Sequence, residues 1–507
     1  MSKHGLYRFF EILPGACAWA TFILAIPLAI YFPKLFACII IIYSVYWLFR
    51  TFVMSGRMIK GYRRYNKDRR SDWMKKLTTL PDNSWKNIYH LVIVPTYKEK
   101  LEILESSIES VINSDFPLDH IIYVLAVEER DRENGVMIAE TLRKKYSSKL
   151  FAFLSTIHPA NIQGEVKGKG ANIYYSAKEV LKFIDRNNIP YKNIMVTTMD
   201  ADNLTDKKYF SNLTYAFAID PDPLHKSFQP LPMYFNNIWD VPTPMRLMAM
   251  SSSFWQMVVA TQPHMLRNFS AHAQSLDALI QTDFWSRKTI VEDGHQFWRS
   301  YFAFDGNHQV VPIFAPIYMD AVLAETFFKT LQEQYLQQRR WSWGVSDIPF
   351  VFTRMINDRK IPFFDKLYKA IMLFDSYYNW STASFILAIV AWYPFVFSHS
   401  FMTSIYAYSF PVVYKLLLML AWVGMITTLV ISTILLPPNK NRRWHPWFYL
   451  IKDWIITPII LAVTNVIFSA IPALDSQTRL MFKKYLEFRV TVKSTNRSGA
   501  LTENKIS

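Results

Sequence analysis

The chain has 507 residues, 51% hydrophobic and 16% aromatic, and a formal net charge of +16. That is long enough for more than one structural unit and too apolar for an ordinary soluble domain. Its two cysteines, Cys17 and Cys38, supply neither a disulfide framework nor a zinc site.

Taken in chain order, residues 13–32 and 34–54 are apolar runs long enough to cross a bilayer. No small-residue cleavage site follows the first, so it reads as a retained anchor rather than a signal peptide. Both cysteines fall in these runs, where a thiol packs as a small apolar group. From Arg50 to Lys76 there are ten Lys and Arg residues against Asp68 and Asp72. In isolation such a cluster reads as nucleic-acid binding. Directly after a membrane span the positive-inside rule is the better reading, and it places residues 55–378 in the cytoplasm with no nucleic-acid partner.

The middle of the chain alternates between two periods. Residues 89–95 (Tyr-His-Leu-Val-Ile-Val-Pro) read as a strand, and Leu101, Leu104, Ile108, Val111 and Ile112 then recur at helical spacing. Further strands are predicted at 121–127, 150–155 and 193–198. Strands alternating with helices predict an α/β fold, a mostly parallel sheet with helices on both faces. Ligands bind such sheets at the carboxyl ends of the strands. Polar clusters fall at those ends: Thr96 to Glu99, Glu128 to Asp131 and Asp200 to Asn203.

Asp200 and Asp202 directly follow the strand at 193–198. Alone, this spacing fits a solvated turn, but two carboxylates so placed can also share one hard cation that bridges to diphosphate oxygens. Oxygen ligands suit Mg²⁺ or Mn²⁺. Lys167-Gly-Lys-Gly-Ala-Asn172 precedes a helical pattern; its glycines let backbone approach a ligand, and Lys169 is a point charge suited to phosphate. Glu292-Asp293 reads as an acid pair at a helix start, and a carboxylate there could take a proton from an attacking hydroxyl. His272 and His295 compete for that role. Gln337, Arg340 and Trp341 share one helix at spacings of three and four. Arg340 could neutralise a departing diphosphate, and Trp341 could pack against a sugar or lie at a membrane interface.

Two more apolar runs follow at 381–398 and 416–436, then Lys440, Arg442 and Arg443, which place the intervening loop in the cytoplasm. A fifth run, 453–474, is interrupted by Pro458 and Pro472. Phe488 to Lys493 alternates like a short strand in a basic tail.

In this order the motifs resemble the processive family 2 glycosyltransferases, and among them the bacterial cellulose synthase catalytic subunits. Pro95-Thr96-Tyr97-Lys98-Glu99 is similar to that family's first nucleotide-binding loop. Lys169 to Asn172 resembles its diphosphate-binding Lys-x-x-Asn, Asp200-Ala-Asp202 its metal motif, and Val291-Glu-Asp293 its Thr-Glu-Asp. Gln337 to Trp341 matches Gln-x-x-Arg-Trp, and Phe488 to Lys493 matches the Phe-x-Val-Thr-x-Lys gating loop. The resemblance implies a GT-A-type domain inserted between transmembrane helices, two N-terminal and two or three C-terminal. It implies Asp293 as general base, with Gln337, Arg340 and Trp341 beside it. Donor contacts would come from Thr96, Tyr97, Glu99, Glu128, Glu129, Lys169, Asn172, Asp200 and Thr491, and Asp200 and Asp202 would hold Mg²⁺ or Mn²⁺. The family's Asp-Asp pair is Glu128-Glu129 here, and its acceptor loop Phe-Phe-Cys-Gly-Ser reads Asn268-Phe-Ser-Ala-His272, which weakens cellulose as the product.

The expected organisation is a membrane hairpin (1–54), a basic linker (55–88), the glycosyltransferase domain (89–325), interfacial helices (326–380), a membrane and interfacial region (381–474) and a cytoplasmic tail (475–507). Residues 475–497 carry six basic residues against Asp475 and Glu487, so residues 447–474 are read as interfacial or re-entrant and four spans are kept. The expected function is an inverting transfer of a sugar from a UDP-linked donor to a growing polysaccharide at the plasma membrane. A non-processive glycolipid synthase and an inactive scaffold for another synthase are the alternatives.

Overall fold

In a computed structural model of the chain, the described residues are 3–81, 83–437, 460 and 463–489. The chain divides into two units: Met1–Tyr62 with Trp239–Phe254 and Val322–Leu486, and Arg63–Ile238 with Trp255–Ala321 and Glu487–Ser507.

The second unit is built on an eight-stranded sheet. Its strands are β1 (Tyr89–Thr96), β2 (Ile121–Glu128), β3 (Ala152–His158), β4 (Ile194–Thr198), β5 (Leu204–Thr205), β6 (Lys226–Met233), β7 (His272–Ser275) and β8 (Gln309–Tyr318), in the order β3-β2-β1-β4-β7-β6-β8-β5. The strands from β3 to β4 are mutually parallel. Alternate side chains point to opposite faces. Val92, Val94, Tyr123 and Leu125 pack against Leu104, Ile108, Ile138 and Leu142. Leu91, Ile93, Ile122 and Val124 pack against Ile173, Ala177, Val180 and Ile184. Helices therefore cover both faces, and β2 is buried at every position, which is why these strands read as continuous apolar runs.

The other half of the sheet departs from the expected pattern. β7 pairs antiparallel with β4 and β6, β6 pairs parallel with β8, and β5 pairs antiparallel with β8. β6 carries Pro230 and Pro232, and β8 carries Pro312 and Pro316. Proline cannot donate to a ladder and argues against a central strand. The sheet absorbs it with a register shift between Pro230 and Leu231. β7, His-Ala-Gln-Ser, is too short and polar to register as a strand, yet it is buried throughout.

Among the described residues, four helices are long and apolar enough to cross a membrane: His4–Tyr31, Pro33–Arg70, Phe363–Phe397 and Ile405–Leu435. Ala25, Ala29, Phe36 and Ala37 pack with Ile386, Ala391, Phe401 and Phe410, while Leu24, Ile42 and Val412 face outward. An exposed apolar surface on helices of this length suits association with a membrane. The helix begun at Pro33 continues to Arg70, so the expected basic linker is helical as far as that residue. Pro472 does not break the chain. A π-helical turn, Val466–Ala470, leads into the helix Ile471–Met481 with Pro472 in its first turn. Lys440, Arg442, Arg443, Pro458 and most of 447–462 lie outside the described residues.

Candidate active site

The carboxyl ends of β1, β2 and β3 form one edge of the site. Thr96 is buried at the end of β1, and Tyr97 and Glu99 are half-buried in the loop beyond it. Lys98 takes a left-handed conformation, φ 59°, and its N–H donates to Asp131 Oδ2 at 2.6 Å. Asn134 Nδ2 donates to the Glu99 carbonyl. The loops after β1 and β2 are thus tied together. Arg130 lies over the Tyr97 ring, 4.7 Å from its centroid, and pairs with Glu128 Oε2 at 3.1 Å. Glu128 is buried, whereas Glu129 is exposed and accepts from the Ala160 N–H at 2.7 Å. The two glutamates therefore sit in different surroundings: Glu128 joins the strand-end network, and Glu129 caps the loop after β3.

The second edge lies past β4. The helix Lys169–Arg186 starts at Lys169 itself, so the glycine-bearing run enters the first turn instead of preceding it. A Cβ on Gly170 would meet Ser286 O at 2.7 Å and Glu292 Cβ at 3.0 Å; the glycine is what lets this helix approach so closely. Lys169 Nζ donates to Asp200 Oδ1 at 2.8 Å and to the Ser270 carbonyl at 2.7 Å. Ser270 Oγ donates to Asp200 Oδ2. Burial alone would depress the Lys169 ammonium, but the charges of Asp200, Glu292 and Asp293 outweigh it and raise its pKa. Lys169 is thus a largely enclosed, charged group facing three acidic side chains.

Asp202 is buried and accepts from the Asp320 N–H at 3.3 Å. Asn236 Nδ2 donates to the Asp202 carbonyl at 3.1 Å and to Asp320 Oδ1 at 2.9 Å. Asn172 is buried, and its Nδ2 donates to the Ala126 carbonyl at 2.9 Å, joining its helix to β2. Glu292 and Asp293 open the helix Glu292–Ala303, where the helix dipole favours a carboxylate. Glu292 is pushed up, first by burial and then by the Asp293 charge beside it. Asp293 is half-buried and accepts from the Gly294 N–H. Of the two histidines, His272 is fully committed. Its Nδ1 donates to the Phe269 carbonyl at 3.0 Å, and its Nε2 accepts from Trp285 at 3.1 Å. Burial pulls its pKa down to about 3, so it remains a neutral structural group. His295 is half-buried in the first turn after Asp293.

Sequence reasoning did not identify Asn236 or Asp320, and it placed Ser270 in the acceptor-loop match without giving it a role. Ser270 sits in the loop before the short β7, and Asp320 follows the proline-bearing β8, so neither had a recognised strand to mark it. Gln337, Arg340 and Trp341 lie in the first unit on the helix Phe327–Ser342. That helix docks onto the helix Ile471–Met481 through Tyr335, Arg339 and Ser342, which bond Asp475 and Ser476. Gln337 is buried. Thr491 lies outside the described residues. Phe488, in the same motif, is described: a Cβ on Gly168 would lie 3.0 Å from its ring. Phe488 therefore covers the residue that precedes Lys169.

The oxygen donors at Asp200 and Asp202 fit a hard divalent cation. Among the described residues no group of three or more His, Cys, Asp or Glu side chains forms a ready cage.

No protein-family profile and no curated protein matches this sequence. Solved structures similar to the chain include a mannosyltransferase from Pyrobaculum calidifontis in complex with GDP-Man and Mn²⁺, at 13% identity and a TM-score of 0.43, covering 88% of this chain and 100% of that one. Residues 1–349 of TarS from S. aureus in complex with UDP match at 12% identity and a TM-score of 0.37, covering 80% and 94%. The same protein with UDP-GlcNAc matches at 13% identity and 0.34, covering 79% and 94%. At that distance the likeness bears on neither substrate nor product.

Proposed function

We propose that this chain is a membrane-integrated inverting glycosyltransferase that moves a sugar from a nucleotide-diphosphate donor, UDP-linked, to a hydroxyl of a growing glycan on the cytoplasmic side of the plasma membrane. The observation that carries this reading is the largely enclosed Lys169 ammonium facing Asp200, Glu292 and Asp293 beyond the parallel strands. In such a sheet that is where a ligand binds. Asp293 takes the proton of the acceptor hydroxyl as it attacks the anomeric carbon. Lys169 faces the charge that develops on the leaving diphosphate. A divalent ion held by Asp200 and Asp202 would supply further stabilisation of that charge. Burial and the neighbouring charge raise the Glu292 pKa, so of this acid pair Asp293 is the one assigned to accept that proton. Arg340 and Trp341, by resemblance, complete the leaving-group and acceptor contacts. Phe488 against Gly168 supports a tail segment that covers the donor, and closure of such a segment excludes water.

The test is incubation of the purified full chain with a panel of UDP- and GDP-sugars, with Mg²⁺ or Mn²⁺ and then with excess chelator. The expected result is sugar transfer that the chelator abolishes and the metal restores. A product of many sugars supports a polysaccharide; one sugar on a lipid supports the glycolipid alternative. Full activity in chelator overturns the metal assignment, and no transfer or donor hydrolysis from any nucleotide sugar overturns the enzyme reading.

A further inference from the structure

Glu128 and His158 are register partners, the last residues of β2 and β3. His158 Nδ1 lies 3.3 Å from Glu128 Oε1, and its Nε2 lies 3.0 Å from Glu165 Oε2. All three side chains are buried, none more than 8% exposed. Arg130 closes one end of this series on Glu128 at 3.1 Å, and Arg287 closes the other on Glu165 at 3.2 Å. Arg130, Glu128, His158, Glu165 and Arg287 therefore form a chain of alternating charge. The Tyr175 ring lies 5.5 Å from the imidazole.

A carboxylate only accepts hydrogen bonds, and a neutral imidazole has one N–H and one lone pair. A ring with both nitrogens against carboxylates needs both protonated, or one oxygen faces a lone pair with no donor between them. Burial pulls the His158 pKa down, but the bonds and charges of Glu128 and Glu165 more than reverse this and raise it. Glu165 belongs to the segment between β3 and the helix Lys169–Arg186, which Val166 also anchors by donating to the Arg287 carbonyl at 2.8 Å. The same histidine thus grips the carboxylate beside Tyr97 and the segment that leads into Lys169.

We infer that His158, as an imidazolium, is a positioning residue that clamps Glu128 to residues 159–168 and so sets the donor subsite, a role that rests on the nucleotide-donor reading above. The clamp is complete below the ordinary imidazole range, about 6.5, and is released as pH rises through the raised native value. Loss of the proton loosens residues 159–168 and frees Glu128, so donor KM rises while kcat changes little.

The test uses the full chain in detergent with His158→Gln, neutral at every pH, and His158→Arg, cationic at every pH. Two quantities are followed against pH: hydrogen exchange of residues 159–168, corrected for intrinsic rate, and binding of UDP and GDP with Mg²⁺. In the wild type, protection and affinity should fall together as pH rises, the affinity by roughly tenfold, the loss of one charge-assisted hydrogen bond. His158→Gln should be loose and weak throughout, and His158→Arg should hold both quantities flat. An identical pH profile in the wild type and His158→Gln overturns the clamp. Loosening of residues 159–168 without any change in nucleotide affinity overturns the positioning role alone. Loosening in a protein that binds neither nucleotide at any pH overturns the donor reading and the positioning role with it.

Discussion

The two edges of the site balance charge in opposite ways. At the ends of β2 and β3, Glu128 and Glu165 each sit between two basic groups, so that edge is closed on itself. Past β4, the largely enclosed cation Lys169 faces Asp200, Glu292 and Asp293 together. The first arrangement holds a shape. The second gathers three acidic side chains around one cation. On the function proposed above, the first edge would recognise the donor and the second would host the chemistry.

The sharpest way to break that contrast is to remove charge at the reactive edge. Asp200→Asn takes away the partner of both Lys169 and Ser270 and one of the two carboxylates offered to a cation. Transfer should fall by about 10³-fold, the scale for losing a transition-state contact of this kind, with the loss in kcat. The matching change at the recognition edge, Glu128→Gln, should instead raise donor KM by about 10–100-fold, the worth of a buried charged hydrogen bond, and leave kcat nearly unchanged. Steady-state kinetics on both variants decides whether the two edges differ as described. If both lose kcat equally, they do not.

Gly170→Val tests the packing that joins the edges. Its side chain would collide with Ser286 O and Glu292 Cβ, and overpacking of this type costs about 1–3 kcal/mol. A lowered Tm is expected, together with weakened transfer because Lys169 starts the same helix. Glu292→Gln should have the smallest effect and the opposite sign. Native Glu292 binds its proton more tightly than in the unfolded chain. Stability is therefore full below the ordinary carboxylate range and falls as pH rises through the higher native value. Glutamine removes that loss, so between about pH 5 and pH 8 the variant should gain on the wild type by of order 1 kcal/mol. Thermal unfolding across that range measures it.

How much of this is legible in the sequence differs between the two halves of the sheet. β1, β2 and β4 are buried on both faces and show as plain apolar runs, and the polar residues at their ends are found by following the chain. The half from β7 to β5 does not show. Pro230, Pro232, Pro312 and Pro316 read as breakers, yet they sit in the β6–β8 ladder, which shifts register between Pro230 and Leu231. The polar strand His272–Ser275 is paired on both sides and gives no periodic signal. Asn236 and Asp320 hang on those unseen strands and go unmarked with them, and the contact of Ser270 with Asp200 is hidden for the same reason. The glycines at 168 and 170 suggest a loose loop, but they serve close contacts, one under Phe488 and one against Ser286 and Glu292. His158 is a single histidine at the end of a strand, with nothing in its spacing to indicate that Glu128 and Glu165 converge on it.

The central claim is that Asp293 accepts the proton of the attacking hydroxyl at a site that binds a nucleotide diphosphate. The most direct measurement compares wild type and Asp293→Asn in two assays on the same preparation: calorimetric binding of UDP with Mg²⁺, and sugar transfer from the nucleotide sugar that the wild type uses. Equal UDP affinity with transfer reduced by about 10²–10⁴, the contribution of a general base, is the expected result. Near wild-type transfer by Asp293→Asn would contradict the account, and so would the absence of UDP binding in the wild type.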